Sequence, residues 1–233
     1  MGMVNLLDKL GRPIRDLRVS VTDRCNFRCP YCMPQEIYGE RYEFLSKTDI
    51  LSFEELARLV RILVSMGVTK VRLTGGEPLV RRDVMTLIRN LGRHLNSGGL
   101  KELTLTTNGS LLEKYAGQLW DCGVRRVNVS LDSLKEEKFE SVTKWGSLSD
   151  VLAGLEAANQ VGLQVKINAV ALKGFNEDEI DQMVAWCGDR GFDLTLIETM
   201  PMGEIDQSRV DQYLPLNVVR ERLEQNWTLD DID

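Results

Sequence analysis

Three of the five cysteines, Cys25, Cys29 and Cys32, fall within eight residues in the run DLRVSVTDRCNFRCPYCMP. Their spacing is C-x3-C-x2-C, and thiolates at this density suit a soft metal centre. A structural zinc takes four protein ligands, and no fourth is near. His94, the single histidine, sits on a predicted helix far along the chain and reads as a surface residue. Three thiolates on a cubane iron–sulfur cluster instead leave one iron open to a small molecule. Cys122 and Cys187 are isolated and read as helix-packing residues. An odd cysteine count in a chain without an export signal argues against a disulfide framework.

Two further features could join that chemistry. Gly75-Gly76-Glu77-Pro78 follows a β-prone run and, taken alone, reads as a tight turn capping a strand. Arg18, Arg72 and Lys166 lie on the polar side of three different β-prone runs, although the protein is acidic, with 29 Lys plus Arg against 35 Asp plus Glu. Three cations facing one another without partners are costly. They point to a polyanion such as a phosphorylated substrate, or else to pairing with carboxylates such as Asp132 or Glu198.

Positioning these residues requires a parallel α/β scaffold. Short β-prone runs at Leu17–Thr22, Lys70–Thr74, Glu102–Thr107, Arg126–Leu131, Gln164–Ala171 and Phe192–Thr199 alternate with stretches of helical period at Phe53–Met66, Asp83–Leu95, Leu111–Trp120, Asp150–Val161 and Asp178–Arg190. Ser149-Asp150 and Asn176-Glu177 read as helix N-caps, and Gly67, Gly123, Gly162 and Gly191 as stops. Six βα units predict a parallel sheet with helices outside. A closed eight-unit barrel takes about 250 residues, so six units in 233 residues suggest an open, partial βα barrel, with a doubly wound open sheet as competitor. The cysteines follow the first strand, at the end where βα barrels place active sites. Within the strands apolar and polar residues alternate, as in Val71 and Leu73 against Arg72 and Thr74. Each strand therefore offers one apolar face to the helices and one polar face to a wet, ligand-filled interior.

Composition narrows the class further. Apolar residues are 43% and charged residues 27% of the chain, with a net charge of −6, ordinary for a soluble globular protein. That balance gives no reason to expect nucleic acid or a membrane surface as partner. No run reaches the roughly 18–20 apolar residues that cross a bilayer, and residues 1–18 lack a signal-peptide core. The expected location is the cytoplasm.

The cysteine triad, with Tyr31 before its last member, together with the Gly75–Pro78 turn resembles the radical S-adenosylmethionine (SAM) superfamily. The runs KVRLTGGEP, TTNG, VNVSLDS, VKIN and IETMPMG, in that order over roughly residues 10–205, resemble its GTP 3′,8-cyclase family, which acts first in molybdenum-cofactor biosynthesis. The resemblance implies that Cys25, Cys29 and Cys32 hold a [4Fe–4S] cluster. It implies that Tyr31, Gly76, Ser130 and Met200 contact SAM, and that Arg18, Arg72, Thr106 and Lys166 contact GTP. All four GTP positions lie on the polar face derived above. The implied chemistry is radical rather than acid–base, and no protein acid or base is identified. Reductive cleavage of SAM gives a 5′-deoxyadenosyl radical, which takes hydrogen from C3′ of GTP, and the resulting carbon radical attacks guanine C8. An electron donor, its identity open, completes the partners, and a homodimer is a further expectation.

Relatives in this family continue for about a hundred residues beyond IETMPMG, with three more cysteines for a second cluster that is expected to hold the guanine. Here no cysteine follows Cys187, and Thr195 stands where relatives often carry arginine. The expected organisation is a radical SAM core over 1–205 and, over 206–233, the start of a C-terminal extension that is cut short. Leu214–Leu229 reads as a helix leading onward. Two other readings stay open: a short radical SAM enzyme acting on another anionic substrate, and a non-catalytic zinc scaffold that kept the core.

Overall fold

In the computed structural model the described residues are 6–33, 37–39, 41–95, 99–199 and 212–231. Six strands, β1 (Asp16–Ser20), β2 (Lys70–Thr74), β3 (Glu102–Thr107), β4 (Arg126–Ser130), β5 (Gln164–Ala171) and β6 (Asp193–Glu198), form one sheet in the order β1-β2-β3-β4-β5-β6. Every neighbouring pair is parallel. A doubly wound sheet reverses its strand order at a switch point. This order never reverses, so the architecture is the open βα arrangement expected of a partial barrel.

The helices are α1 (Phe53–Ser65), α2 (Val84–Gly92), α3 (Leu112–Asp121), α4 (Glu136–Thr143), α5 (Leu148–Gln160), α6 (Ile180–Arg190) and, beyond β6, α7 (Leu216–Leu223). The apolar strand faces form the core beneath them: Val71, Leu73, Leu103, Leu105, Val127, Val129, Val165 and Ile167 are all buried. They meet Leu56 and Val60 of α1, Leu87, Ile88 and Leu91 of α2, Leu119 of α3 and Leu155 of α5 in one cluster. Helix α1 starts where a capping box dictates, with Ser52 Oγ accepting from Glu55 N–H at 3.2 Å and Glu55 returning a carboxylate to Ser52 N–H at 2.7 Å.

Several expectations shift. Helix α4 is absent from the sequence reading, because its apolar face is only Phe139, Val142 and Thr143 amid charged residues. Helix α5 is capped by Ser147, whose side chain accepts from Asp150 N–H, rather than by Ser149. Asn176 does not cap α6; its side chain bridges strand ends, donating to the Asp132 and Val170 carbonyls at 2.7 and 2.8 Å. The polar face is drier at its centre than alternation suggests. Thr104 and Asn128 are buried, and each donates to a backbone carbonyl of the neighbouring strand, Arg126 O at 2.7 Å and Leu105 O at 3.4 Å. Helix α7 is shorter than the Leu214–Leu229 pattern and packs its Val219 and Leu223 into a small cluster with Ala171, Ile180 and Leu214. The domain division at 205/206 falls within 200–211, outside the described residues.

Helices α2 and α3 meet where Gly92 faces a carbonyl. A Cβ at Gly92 would lie 2.1 Å from Cys122 O, whereas one at Gly117, in the exposed middle of α3, meets nothing within 4 Å. Glycine-to-alanine in a helix ordinarily stabilises by about 1 kcal/mol, and forced overpacking costs about 1–3 kcal/mol. Gly117→Ala is therefore expected to raise the urea midpoint and Gly92→Ala to lower it. Equal gains at both sites would show that the α2–α3 approach is looser than described.

Candidate active site

The cysteine loop leaves β1 and runs across the C-terminal ends of the strands, held at both sides. On one side its backbone continues the β1–β2 pairing past the strands: Val21 N–H donates to Thr74 O at 2.9 Å, Gly76 N–H to Thr22 O at 2.7 Å and Glu77 N–H to Arg24 O at 2.9 Å. The approach requires glycine. A Cβ on Gly75 would lie 2.3 Å from Thr22 O, and one on Gly76 would lie 2.2 Å from Arg24 O. On the other side Phe27 is buried edge-on against Phe139 of α4, with ring centroids 5.9 Å apart. Arg28 N–H donates to Thr143 O at 2.9 Å. The Arg28 guanidinium turns back to the Cys25 and Phe27 carbonyls at 2.7 and 2.8 Å. Within the loop Cys32 N–H and Met33 N–H both donate to Cys29 O, at 2.9 and 2.7 Å. This single turn brings the i and i+3 cysteines to one side.

Glu77 ties the loop to the next strand end. Fully buried, its carboxylate accepts from Leu79 N–H at 2.9 Å, Thr107 Oγ1–H at 2.8 Å and Asn108 N–H at 2.6 Å. Burial pushes the Glu77 carboxyl up to about 7 against those three donors. Tyr31 hydroxyl donates to Asp132, just beyond β4. Asp132 also accepts Val170 N–H at 2.8 Å. Burial raises the Asp132 carboxyl, and raises the Tyr31 phenol with Asp132's charge adding to it.

All three loop cysteines are free, Cys25 and Cys29 half-buried and Cys32 exposed. Burial raises each thiol, Cys29 to about 12, and the Cys29 shift is enlarged by Asp132, Cys32 and Cys25. Three soft donors that repel one another as thiolates form a set completed by a cationic centre, since metal binding deprotonates a coordinating thiol outright. A cubane takes each thiolate on a separate iron, so this donor set fits a cluster. His94 lies just past α2, off the cysteine loop.

The sequence matches the radical SAM superfamily over residues 19–187. The chain belongs to that superfamily. Its cofactors are a [4Fe–4S] cluster and SAM. Proteins of *Mesorhizobium japonicum* and *Brucella canis* named GTP 3′,8-cyclase are 57% identical over 229 residues and 59% identical over 227 residues. They match 98% and 97% of this chain, which spans 68% and 64% of their own lengths. The chain thus falls within the GTP 3′,8-cyclase family. Among solved structures, *Streptococcus suis* SuiB bound to S-adenosylmethionine shares the fold with a TM-score of 0.71 at 18% identity, over 90% of this chain and 47% of its own. Native anSMEcpe with bound AdoMet and Cp18Cys peptide gives 0.70 at 19% identity, over 92% and 60%.

The positions expected for SAM in this radical SAM chain lie at strand ends: Tyr31 in the cysteine loop, Gly76 beyond β2 and Ser130 at the end of β4. Met200 falls outside the described residues. The positions expected for GTP occupy two neighbouring rows of the polar face. Arg18 pairs in register with Arg72, and Thr106 with Asn128, which pairs with Lys166. Arg18, Arg72 and Lys166 enter none of the ion pairs among the described residues, and Arg72 Nε is buried without a hydrogen bond. The alternative partners are engaged elsewhere: Asp132 as above, Glu198 with Leu216 N–H at 2.7 Å and Tyr213 hydroxyl at 3.3 Å. Burial lowers the Arg72 pKa, and Arg18 and Arg126 lower it further. Arg126, a cation that alternation also places on this face, is met by Glu102 at 2.6 Å, which holds Lys70 at 3.1 Å as well. Sequence reasoning missed Asp132 as the partner of Tyr31, and the Asn26–Asn108 contact at 2.8 Å. The runs that contain them, SLDS and TTNG, were visible without their contacts.

Glu77 gives this end of the sheet a pH signature. Its folded pKa, about 7, exceeds its ordinary value of 4.5, so the folded state holds the proton more tightly. The stability this contributes is full below about 4.5 and lost as pH rises through about 7. The span amounts to roughly 3 kcal/mol. Urea unfolding of the apoprotein from pH 4.5 to 8 should show a decline that Glu77→Gln flattens. Parallel curves would remove Glu77 as its source.

Proposed function

We propose that this chain performs the chemistry named in its relatives, the cyclisation of GTP between ribose C3′ and guanine C8, with the cluster on Cys25, Cys29 and Cys32. The observation that supports it most directly is a free-thiol triad at the strand ends beside Arg18, Arg72 and Lys166, which enter no ion pair among the described residues of the adjoining polar face. When bound, the cluster and SAM supply reductive cleavage to a 5′-deoxyadenosyl radical. The protein's share is placement. Tyr31, Gly76 and Ser130 hold SAM at the strand ends, and Met200 joins them by family resemblance. Arg18, Arg72 and Lys166 clamp the triphosphate lower on the same face, with Thr106 as a neutral donor beside them. Fixing both ends of the nucleotide turns the encounter of C3′ with the radical into a positioned step. The reading takes the reaction to be cytoplasmic, with an electron donor still to be identified and a homodimer as one possible assembly. Among the described residues no helix is long and apolar enough to cross a membrane.

The test is anaerobic reconstitution followed by dithionite-driven turnover with and without GTP, reading 5′-deoxyadenosine and cyclised nucleotide. Deoxyadenosine with cyclised product is the expected result. Deoxyadenosine alone would restrict the chain to SAM cleavage, and a protein that took up zinc but neither iron nor sulfide would overturn the reading. Cys29→Ser should abolish SAM cleavage. Arg72→Ala removes a charged hydrogen-bonding partner worth about 1.5–3 kcal/mol, so GTP affinity should fall about ten- to a hundredfold while uncoupled deoxyadenosine formation persists. Unchanged GTP affinity would remove the cation clamp.

A further inference from the structure

Of the TTNG run only Thr106 enters the proposal above, yet Asn108 in the same run reaches the cysteine loop. Asn108 follows β3 and is buried. Its side chain closes a ring of three hydrogen bonds that all run in one sense: Asn108 Nδ2 donates to Asn26 Oδ1 at 2.8 Å, Asn26 Nδ2 to Ser110 Oγ at 2.9 Å, and Ser110 Oγ to Asn108 Oδ1 at 2.7 Å. The orientation of the amide is fixed. Ser110 N–H, which can only donate, also points at Asn108 Oδ1, at 3.1 Å, so the NH2 group must face the loop. The backbone is fixed as well, since Asn108 N–H is held by Glu77 at 2.6 Å. The remaining Nδ2 hydrogen is directed at Cys25 Sγ, 3.9 Å away.

The three thiols are unequally served. Cys25 Sγ receives Asn108 Nδ2 and, at 3.4 Å, Phe27 N–H. Cys29 lies beside the Tyr31 hydroxyl, whose single proton goes to Asp132. Among the described residues no donor to Cys32 Sγ is found. Donors to cluster sulfurs favour the more negative, reduced state and so raise the reduction potential.

We propose that Asn108, held by Glu77 and by the Asn26–Ser110 ring, is a positioning residue that directs an N–H dipole at Cys25 and sets the potential at which the cluster accepts its electron. This rests on the reading of Cys25 as a cluster ligand. It assigns to Asn108 a role in electron acceptance, distinct from the substrate contact proposed for Thr106.

The experiment is an EPR-monitored redox titration of the reconstituted protein, with iron and sulfide content, for wild type, Asn108→Leu, Asn108→Asp and Ser110→Ala. Asn108→Leu should move the midpoint to more negative potential. Asn108→Asp should move it further, because it sets a carboxylate against the sulfur. Ser110→Ala keeps the donor but loses its orienting partner and should give a smaller shift of the same sign. Equal midpoints in four fully loaded proteins would overturn the proposal. So would loss of iron from both Asn108 variants with an unchanged midpoint in Ser110→Ala, which would leave the ring a scaffold. Wild type that failed to take up iron and sulfide would overturn it together with the reading of Cys25 on which it rests.

Discussion

The active end of the sheet depends on the backbone of residues 22–25 lying directly against Gly75 and Gly76. Three backbone hydrogen bonds prolong the β1–β2 pairing beyond the strands. At the 2.2–2.3 Å separations that a Cβ would meet there, no other residue fits without moving the chain. The cysteine loop is therefore in effect an extension of the sheet, and the first cysteine inherits its position from strand register rather than from loop packing. The glycines of the GGEP turn thus serve the loop through their own backbone, independently of any ligand.

From that seam the positioning spreads outward by hydrogen bonds to buried groups. Glu77, on the residue after the seam, fixes the end of β3 through Thr107 and Asn108. Tyr31, inside the loop, reaches Asp132 beyond β4, and Asn176 joins Asp132 to β5. Each link satisfies a polar group that would otherwise be buried unpaired, a cost of about 1–3 kcal/mol apiece. The strand ends are thereby coupled to one another without a metal. Helix α4 closes the far side, where apolar packing of Phe27 on Phe139 adds to the hydrogen bond from Arg28 N–H to Thr143 O.

Much of this was legible in the sequence, and what was not has a physical cause. Strand alternation located the apolar faces and the row of cations, because period-two patterning survives wherever one face is buried. The parallel sheet followed from the alternation of βα units, and the polar strand faces favoured a partial barrel over a doubly wound sheet. Helix α4 was not legible, since eight residues with one strong anchor, Phe139, give too little periodicity to detect. The buried state of Thr104 and Asn128 was also hidden. Alternation reports which face a residue occupies, whereas their bonds to carbonyls of the adjoining strand depend on register. The Asn26–Ser110–Asn108 ring joins residues 84 and 82 positions apart, and nothing local in either segment specifies the other.

The two ends of the candidate site are built on opposite principles. Around the cysteines the loop is tied down on both sides by the protein's own hydrogen bonds and packing. On the polar face below, Arg18, Arg72 and Lys166 enter no ion pair among the described residues, and Arg72 is destabilised as a cation by burial and by its arginine neighbours, an effect that Glu102 and Asp16 offset in part. Glu102 forms its ion pairs with Arg126 and Lys70. Arg18 and Arg72 stand side by side in register, so an anion that met both would relieve their repulsion as it made each new contact. On the proposed reading, a redox end at the cysteines and an anion end on the polar face together favour one orientation of a nucleotide, phosphates on the arginine row and sugar toward the cysteines.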